Sequence, residues 1–518
     1  MEKFQILWAD DEIELLKPYV MFLKEKEYDV TTCNSGVDAI DLVTQTNFDI
    51  VFLDENMPGL SGLETLTKIK SIRPQLPIIM ITKSEQEQIM EDAIGSKIAD
   101  YLIKPVNPNQ ILLTLKKILD HKRLIREKTT KNYQQEFRQL GMQISPYLSW
   151  QEWVELYKKL IFWELELEKS RDESMFDMLL MQKHEANTNF ARFISNNYED
   201  WVNMRVPDVP TLSHTLFKNK IAPEIDKPEN LYLIVIDNLR YDQWKSIEPI
   251  ISEYFRVDKE EVFFSILPTA THYARNSLFA GLMPSEIAKR HPQYWVGESE
   301  TDEGKNQYEA ELLGEQLRRL GKNVKHSYNK ITNLTNGKKL AENFYQLDAN
   351  KLNVVVYNFV DMLSHARTDM EVIKELADDE AAYRALTVSW FEHSPLWEMM
   401  QQISDKKGRM IITTDHGTIK VKEATQVIGD KNTNTNLRYK VGKALDYDPD
   451  DVFEVKNPTS IFLPKENVSS SYIFAKTDLF FAYRNNYNYY VSYYKNTFQH
   501  GGVSLEEMII PVITLSSR

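Results

Sequence analysis

An apolar, largely β-branched run that stops on an acidic residue recurs in this chain: "FQILWADD" (4–11), "DIVFLDE" (49–55), "LYLIVIDN" (231–238), "VVVYNFVD" (354–361) and "MIITTDHG" (410–417). Runs that are apolar on both faces suit strands buried between two layers of helix, the setting of a parallel sheet. All strands of such a sheet end at one edge, and open α/β folds place their sites there. An acid left at that edge is costly to desolvate unless a cation or ligand meets it. The chain is therefore expected to be a multidomain α/β protein with charged chemistry at its strand ends.

Its 518 residues exceed what one hydrophobic core holds, so two to four domains are expected. With 42% hydrophobic and 27% charged residues, neither disorder nor a fibrous class is indicated. A formal net charge of -14 works against non-specific attraction to nucleic acid or an anionic membrane. Cys33 is the only cysteine, which excludes an intrachain disulfide and a thiolate metal cluster. Any metal must then be held by oxygen and imidazole. The opening "MEKFQILWADDEIELL" carries acids where a signal peptide needs an apolar stretch, and no run is long enough to span a bilayer. A reduced cytoplasm is the expected setting.

Over residues 1–122, "FQILWA", "DIVFLD", "LPIIMIT" and "DYLIKP" alternate with helix-periodic segments, which predicts a parallel sheet with helices on both faces. Asp10, Asp11 and Asp54 then converge at its carboxyl edge. Three carboxylates repel one another, and Mg²⁺ suits such an oxygen set while keeping waters for a phosphoryl group. Thr82 and Lys104 close two further runs with a hydroxyl and an ammonium, both fit to hold phosphoryl oxygens. In order and spacing these residues, with the "LDENMPGLSG" loop and Tyr101, resemble the receiver domains of response regulators, a flavodoxin-like fold. The resemblance implies that Asp54 accepts a phosphoryl group from a sensor histidine kinase. It further implies that Asp11, Asp54 and the Asn56 carbonyl hold Mg²⁺ with Asp10 assisting, that Thr82 and Tyr101 form the switch pair, and that Lys104 pairs with the phosphoryl group.

From 123 to 205 the character changes. Leu112, Leu115 and Leu119 share one helical face, and the charged continuation reads as a connector. "SWQEWVELYKKLIFWELELEKS" and "DESMFDMLLMQKHEANTNFARFISNN" are patterned as long amphipathic helices, with Ser149 and Asp172 as N-caps and the tryptophans as core. A small helical bundle is expected. These helices are too long and too acidic for a helix-turn-helix reader, so sequence-specific DNA binding is not expected.

The remaining stretch, 206–518, supplies Asp237, Asp361, Asp415, His365, His416 and His500 at strand ends, a ligand set for two metals. Mixed carboxylate and imidazole donors suit Zn²⁺, or Mn²⁺ at higher coordination number. Two such ions roughly 3.5–4 Å apart form a clamp for displacement at phosphorus. "SILPTATHYARNSLFAGLMP" offers a nucleophile in Thr271 at a helix start, with Thr269 and Ser277 as competitors.

"IDNLRYD", "LPTAT", "AGLMP", "DMLSH", "TDHG" and "QHGG" together resemble the alkaline phosphatase superfamily, its nucleotide pyrophosphatase and phosphodiesterase branch, and the related PglZ domains. The resemblance implies that Asp237, Thr271, Asp415 and His416 hold one Zn²⁺, that Asp361, His365 and His500 hold the other, and that Thr271 is transiently phosphorylated. "DNLRYD" lacks the glycine often found after the metal-binding acid. The phosphoryl-clamping residue is not identified, Arg240, Arg275 and Asn276 being candidates, while His272, His291, His326 and His393 fall outside the ligand set. Joined in this order, the three parts resemble response regulators of the type IX secretion pathway. That likeness implies contacts with a secretion component or a sigma factor and a phosphorylation-linked homodimer. The function expected is a phosphodiesterase acting on cyclic or short linear oligonucleotides under control of Asp54. The alternative is a metal-bound scaffold whose output is protein binding.

Overall fold

A computed structural model of the protein describes residues 4–74, 76–83, 98–170, 172–298, 304–370, 373, 375, 377, 379–430, 433–465, 467 and 469–518, apart from the side chains of 120–128, 367 and 369. The charged run after Leu119, expected as a connector, has its side chains outside the described residues through position 128. Two compact units form, Met1–Asn132 with Ser170–Asp172, and Tyr133–Lys169 with Glu173–Arg518.

In the first unit β1 (Gln5–Ala9), β2 (Asp29–Cys33), β3 (Ile50–Asp54), β4 (Ile78–Thr82) and β5 (Asp100–Ile103) make a parallel sheet in the order β2-β1-β3-β4-β5. This is the flavodoxin-like doubly wound order. Successive side chains of a strand point to opposite faces, and here both faces are covered: Ile6, Trp8, Phe52, Ile79 and Ile81 enter one core, Leu7, Ala9, Val51, Leu53, Ile78 and Met80 the other. Each aliphatic side chain so buried contributes about 1.5–3 kcal/mol. That double burial is why the runs are continuously apolar. Ser61 caps the helix Gly62–Ile72 in a reciprocal pair with Glu64, which fixes the chain just after β3.

In the second unit β6 (Leu231–Ile236), β7 (Phe255–Phe264), β8 (His326–Ile331), β9 (Leu352–Tyr357), β10 (Arg409–Thr413) and the strand Ile509–Ser517 form a six-stranded sheet in the order β7, Ile509–Ser517, β10, β6, β9, β8. The same double burial holds: Leu231, Leu233 and Val235 face one core, Tyr232, Ile234 and Ile236 the other. The parallel sheet that the strand-end acids predict is here a mixed one. β10, β6, β9 and β8 are parallel, whereas Ile509–Ser517 runs antiparallel to β10 and to β7. The chain reaches that last strand from His500, already at the edge where β6 and β10 end, without the long helical crossover that a parallel neighbour needs. Three small sheets between residues 419 and 499 are not marked in the sequence, the smallest being the two-residue pair Ile419–Lys420 and Phe498–Gln499.

Apart from Ser170, the helices Trp150–Ser170 and Glu173–Val202 belong to this second unit. Ser149 and Glu152 bond reciprocally at the start of the first, and Asp172 directly precedes the second, where it accepts the Thr130 hydroxyl at 2.7 Å. Trp153 packs on Phe190 and Phe193, and Phe190 and Trp201 meet Phe264 of β7. Helices and sheet thus share one core across position 205. No helix among the described residues is long and apolar enough to cross a membrane.

Candidate functional site

In the first unit, Asp10, Asp11 and Asp54 each present an oxygen within 4.8 Å of the others at the carboxyl edge of the sheet. Asp54 is buried and Asp11 exposed, so the group opens to solvent on one side. Lys104 lies 2.5 Å from Asp54 Oδ1 and 3.0 Å from Asp10 Oδ2. Burial pushes the Asp54 carboxyl up against the pull of this ammonium. For Lys104 the hydrogen bonds to Asp54 and Asp10 outweigh the opposite effect of burial and hold its pKa above the ordinary value. The Asn56 amide donates to Asp54 Oδ2 at 3.1 Å. Thr82 donates its hydroxyl to Glu55, a partner that the sequence reading missed, and Tyr101 is 38% exposed.

The second site gathers residues from four segments. Asp237 follows β6, Asp361 and His365 sit one turn apart on the helix Phe359–Asp369 after β9, Asp415 and His416 follow β10, and His500 follows Phe498–Gln499. Asp237, Asp415 and His416 offer ligand atoms within 4.8 Å of one another, and so do Asp361, His365 and His500. The His416 and His500 rings stack at 4.3 Å between centroids, which sets the two clusters side by side. The first cluster is fully buried; the second is open, His365 being 67% exposed.

Thr271 begins the helix Thr271–Ala280 and is half-buried, its hydroxyl 3.0 Å from His416 Nε2 and 3.5 Å from Asp237 Oδ1. The competitors are otherwise engaged. Thr269 donates to the Gly502 carbonyl and accepts from the Gly501 amide, and Ser277 is wholly buried.

The donor chemistry fits metal ions. His416 Nδ1 lies 3.1 Å from the Gly417 carbonyl and His500 Nδ1 3.2 Å from the Thr269 carbonyl. A carbonyl can only accept, so each Nδ1 carries the proton and each Nε2 keeps a lone pair directed into the site. Imidazoles that bind metals are oriented in this way. Asp361 Oδ1 and Asp415 Oδ2 are buried without a hydrogen-bond partner among the described residues. Burial and the Asp237 charge push the Asp361 carboxyl up to about 6 and that of Asp415 up to about 8. Burial, with His416 beside it, lowers His500 to about 4. Buried carboxyl oxygens without a hydrogen-bond partner, beside imidazole nitrogens with a free lone pair, form a donor set that a divalent cation would satisfy.

All three clamp candidates are engaged with protein groups, although Arg240 Nη1 has no hydrogen-bond partner among the described residues. Arg275 is buried and donates to Asp237 Oδ2 and Glu309 Oε1, both at 2.6 Å; against the opposing effect of burial, it holds Asp237 below the usual carboxylate range. The Asn276 amide donates to the His272 and Lys305 carbonyls. Arg240, 1% exposed, grips Asp242 through two nitrogens and Glu380 through one. The glycine missing after Asp237 is replaced in function by Asn238, whose φ of 67° is left-handed, a region that Asn tolerates. Of the four histidines outside the ligand set, His272 is buried against Trp295, whereas His326 and His393 are exposed and His291 is partly so.

Gly417 brings the Asp415-His416 loop against the chain before the last strand. A Cβ there would stand 2.0 Å from the Glu506 carbonyl oxygen. Gly417→Ala is expected to force the two backbones apart, costing about 1–3 kcal/mol and displacing His416. The midpoint of urea unfolding and the metal content at saturation both check this, and each should fall.

A family model described as the BREX system PglZ alkaline phosphatase-like domain matches residues 216–515. Models of the PorX response regulator linker domain and the response regulator receiver domain match 123–202 and 6–116. Among curated proteins, the transcriptional regulatory protein ZraR of Klebsiella oxytoca is 32% identical over 140 residues, 27% of this chain and 32% of its own. The alginate biosynthesis transcriptional regulatory protein AlgB of Pseudomonas syringae pv. tomato is 32% identical over 120 residues, 23% of this chain and 27% of its own. The chain thus spans about a third or less of the length of these curated relatives. A CheY-like receiver domain protein from Methanospirillum hungatei JF-1, of known crystal structure, is 25% identical, covering 23% of this chain and 96% of that one with a TM-score of 0.23. The chain belongs to the PglZ alkaline phosphatase-like family, its PglZ domain joined through a PorX-type linker to a response-regulator receiver.

Proposed function

We propose that the PglZ domain is a zinc-dependent phosphodiesterase with Thr271 as nucleophile, controlled by phosphorylation of Asp54. The observation that carries this reading is the Thr271 hydroxyl, half-exposed at a helix start and 3.0 Å from a His416 nitrogen whose lone pair faces it. Asp237, Thr271, Asp415 and His416 would hold one Zn²⁺, and Asp361, His365 and His500 the other. Bound there, the two ions supply Lewis-acid stabilisation of the attacking and leaving oxygens and a hydroxide at neutral pH. Thr271 Oγ forms the bond to phosphorus as the ester oxygen leaves, and water then cleaves the phosphothreonine. Arg275 keeps Asp237 ionised and in place through both steps. The start of the helix Thr271–Ala280 directs amide dipoles toward the charge that gathers on phosphorus.

The reading extends to the rest of the chain. Asp10, Asp11, Asp54 and the Asn56 carbonyl would hold Mg²⁺, and Lys104 would move from Asp54 to the new phosphoryl group. A sensor histidine kinase is the phosphoryl donor, the setting is cytoplasmic, and the output acts on type IX secretion through a secretion component or sigma factor, with a phosphorylation-linked homodimer. Cyclic or short linear oligonucleotides are the proposed substrates.

Release of p-nitrophenolate from bis-p-nitrophenyl phosphate by the zinc-loaded full chain tests the chemistry. Stoichiometric metal with no turnover would leave the domain a binding scaffold. In the receiver, acetyl phosphate with Mg²⁺ should add one phosphoryl mass to the wild type and none to Asp54→Asn. Asp54→Asn should keep its basal hydrolysis but lose the response to acetyl phosphate. A phosphoryl group still gained by this variant would refute the assignment of Asp54.

A further inference from the structure

The helix Tyr487–Tyr494, "YNYYVSYY", has no buried residue, although five of its eight side chains are tyrosines. Two of them tie it down. Tyr487 donates its hydroxyl to the Ala424 carbonyl at 3.1 Å, and Tyr494 packs against the core of Ile419, Val421 and Phe480. Four of the rings form a ladder along the helix: Tyr489 stacks with Tyr493 at 6.0 Å and 16°, and Tyr490 with Tyr494 at 6.2 Å and 11°. Tyr489 is 64% exposed. Tyr490 and Tyr493 are partly exposed beside it. A cluster of partly exposed aromatic rings marks an interaction surface, and flat groups stack well on such rings.

Charge narrows the choice of occupant. In a chain of net charge -14, residues 479–505 contain no acid, while Arg484 and Lys495 flank the helix and are exposed. The acids that bound this stretch are withdrawn from it: Asp478 is buried beside Lys422, and Glu506 beside Lys183. Glu423, next to the Ala424 carbonyl that Tyr487 bonds, is the exposed acid beside the helix, and the exposed Lys422 adjoins it. An aromatic stretch without acids of its own, between two cations, suits a polyanion with flat bases.

The helix also leads into the site. The Asn496 amide bonds to the Val421 carbonyl and the Val421 amide to the Thr497 carbonyl, which continues the pairing of Phe498–Gln499 with Ile419–Lys420. His500 follows Tyr494 by six residues, a span of roughly 20 Å at most, and its ring stacks on His416.

We propose that this tyrosine helix is the track on which a single-stranded oligonucleotide lies, its bases stacked on Tyr489 and Tyr493 and its backbone held by Arg484 and Lys495 as a phosphodiester reaches Thr271. The inference rests on the phosphodiesterase reading and adds to it the residues that select an extended substrate over a small diester.

The test compares the zinc-loaded full chain with Tyr489→Ala/Tyr493→Ala and with Tyr489→Phe/Tyr493→Phe. Two substrates are used, bis-p-nitrophenyl phosphate and a fluorescein-labelled oligoadenylate of about six nucleotides. The expected result is an increase in KM for the oligonucleotide, relative to the small diester, of about tenfold in the alanine variant, with kcat retained. The phenylalanine variant keeps its rings and should match the wild type. An unchanged KM ratio in the alanine variant overturns the track while leaving the phosphodiesterase reading intact. If the wild type hydrolyses neither substrate, that reading fails, and fluorescence anisotropy of the same oligonucleotide decides the track alone: weaker binding by the alanine variant supports it, equal binding overturns it. A change in sedimentation or in protein capture with oligonucleotide binding unaltered would assign the helix to a protein contact and also overturn the proposal.

Discussion

Thr271→Val is expected to lower turnover of bis-p-nitrophenyl phosphate by on the order of 10³-fold or more, the usual scale for deleting a nucleophile that forms a covalent intermediate. Valine keeps the β-branched shape at the first position of the helix Thr271–Ala280. What disappears is one oxygen, together with its contacts to His416 Nε2 at 3.0 Å and Asp237 Oδ1 at 3.5 Å. A single hydrogen bond of this kind contributes about 1 kcal/mol to stability, so the unfolding midpoint should move little. Metal content should stay near that of the wild type, because Asp237, Asp415 and His416 still hold their positions. Turnover lost at equal metal and near-equal stability identifies the hydroxyl as the attacking group. Turnover retained would require another oxygen nucleophile, and neither Thr269, bonded to Gly501 and Gly502, nor buried Ser277 can supply it without the loop moving.

How far the amino-acid sequence discloses this arrangement differs from residue to residue. Asp237 and Asp415 are legible as strand-end acids because β6 and β10 are buried on both faces, which makes the runs before them continuously apolar and their ends sharp. Asp54 is legible for the same reason at the end of β3. The pair Ile419–Lys420 and Phe498–Gln499 is not, since two-residue strands leave no periodicity to read. Nor is the antiparallel entry of Ile509–Ser517, whose apolar run would look the same in either direction. Arg240 is the instructive case. Three residues after Asp237 it reads as a candidate phosphate clamp, and only the fold shows that its Nη2 is shared between Asp242 and Glu380, the latter 140 residues away. Asn238 could have been found: an Asn where a glycine is customary is a signal for a left-handed residue.

Arg240→Met is expected to destabilise the second unit by about 3–5 kcal/mol, the scale for stranding buried charges by removing one partner, and to lower its affinity for zinc. Arg240 touches or neighbours, directly or through Tyr383, the four segments that carry the candidate ligands. It lies three residues after Asp237 and stacks over the rings of Tyr383 and Phe498 at 5.5 and 5.3 Å. Phe498 precedes His500 by two residues, and the Tyr383 hydroxyl donates to the carbonyl of Val360, next to Asp361. The arginine's Cγ lies 3.4 Å from where a Cβ of Gly417, beside His416, would be. Removing the charge leaves Asp242 and Glu380 without their shared partner, although Asp242 keeps Arg384 at 2.9 Å. Arg384 in turn holds Glu164, which pairs with Lys183 at 2.6 Å, so the disturbance reaches the helices Trp150–Ser170 and Glu173–Val202. Arg240→Lys keeps a charge but not the planar fork that grips two carboxylates while stacking on two rings, and should recover only part of the loss. Urea unfolding followed by tryptophan fluorescence, with zinc affinity from chelator competition, separates the outcomes. A fall in stability with unchanged zinc affinity would mean that Arg240 braces the fold without ordering the ligands. A joint fall, partly restored by lysine, is the expected result, because Asp237, Asp361, His416 and His500 all come from segments whose positions this one side chain helps to fix.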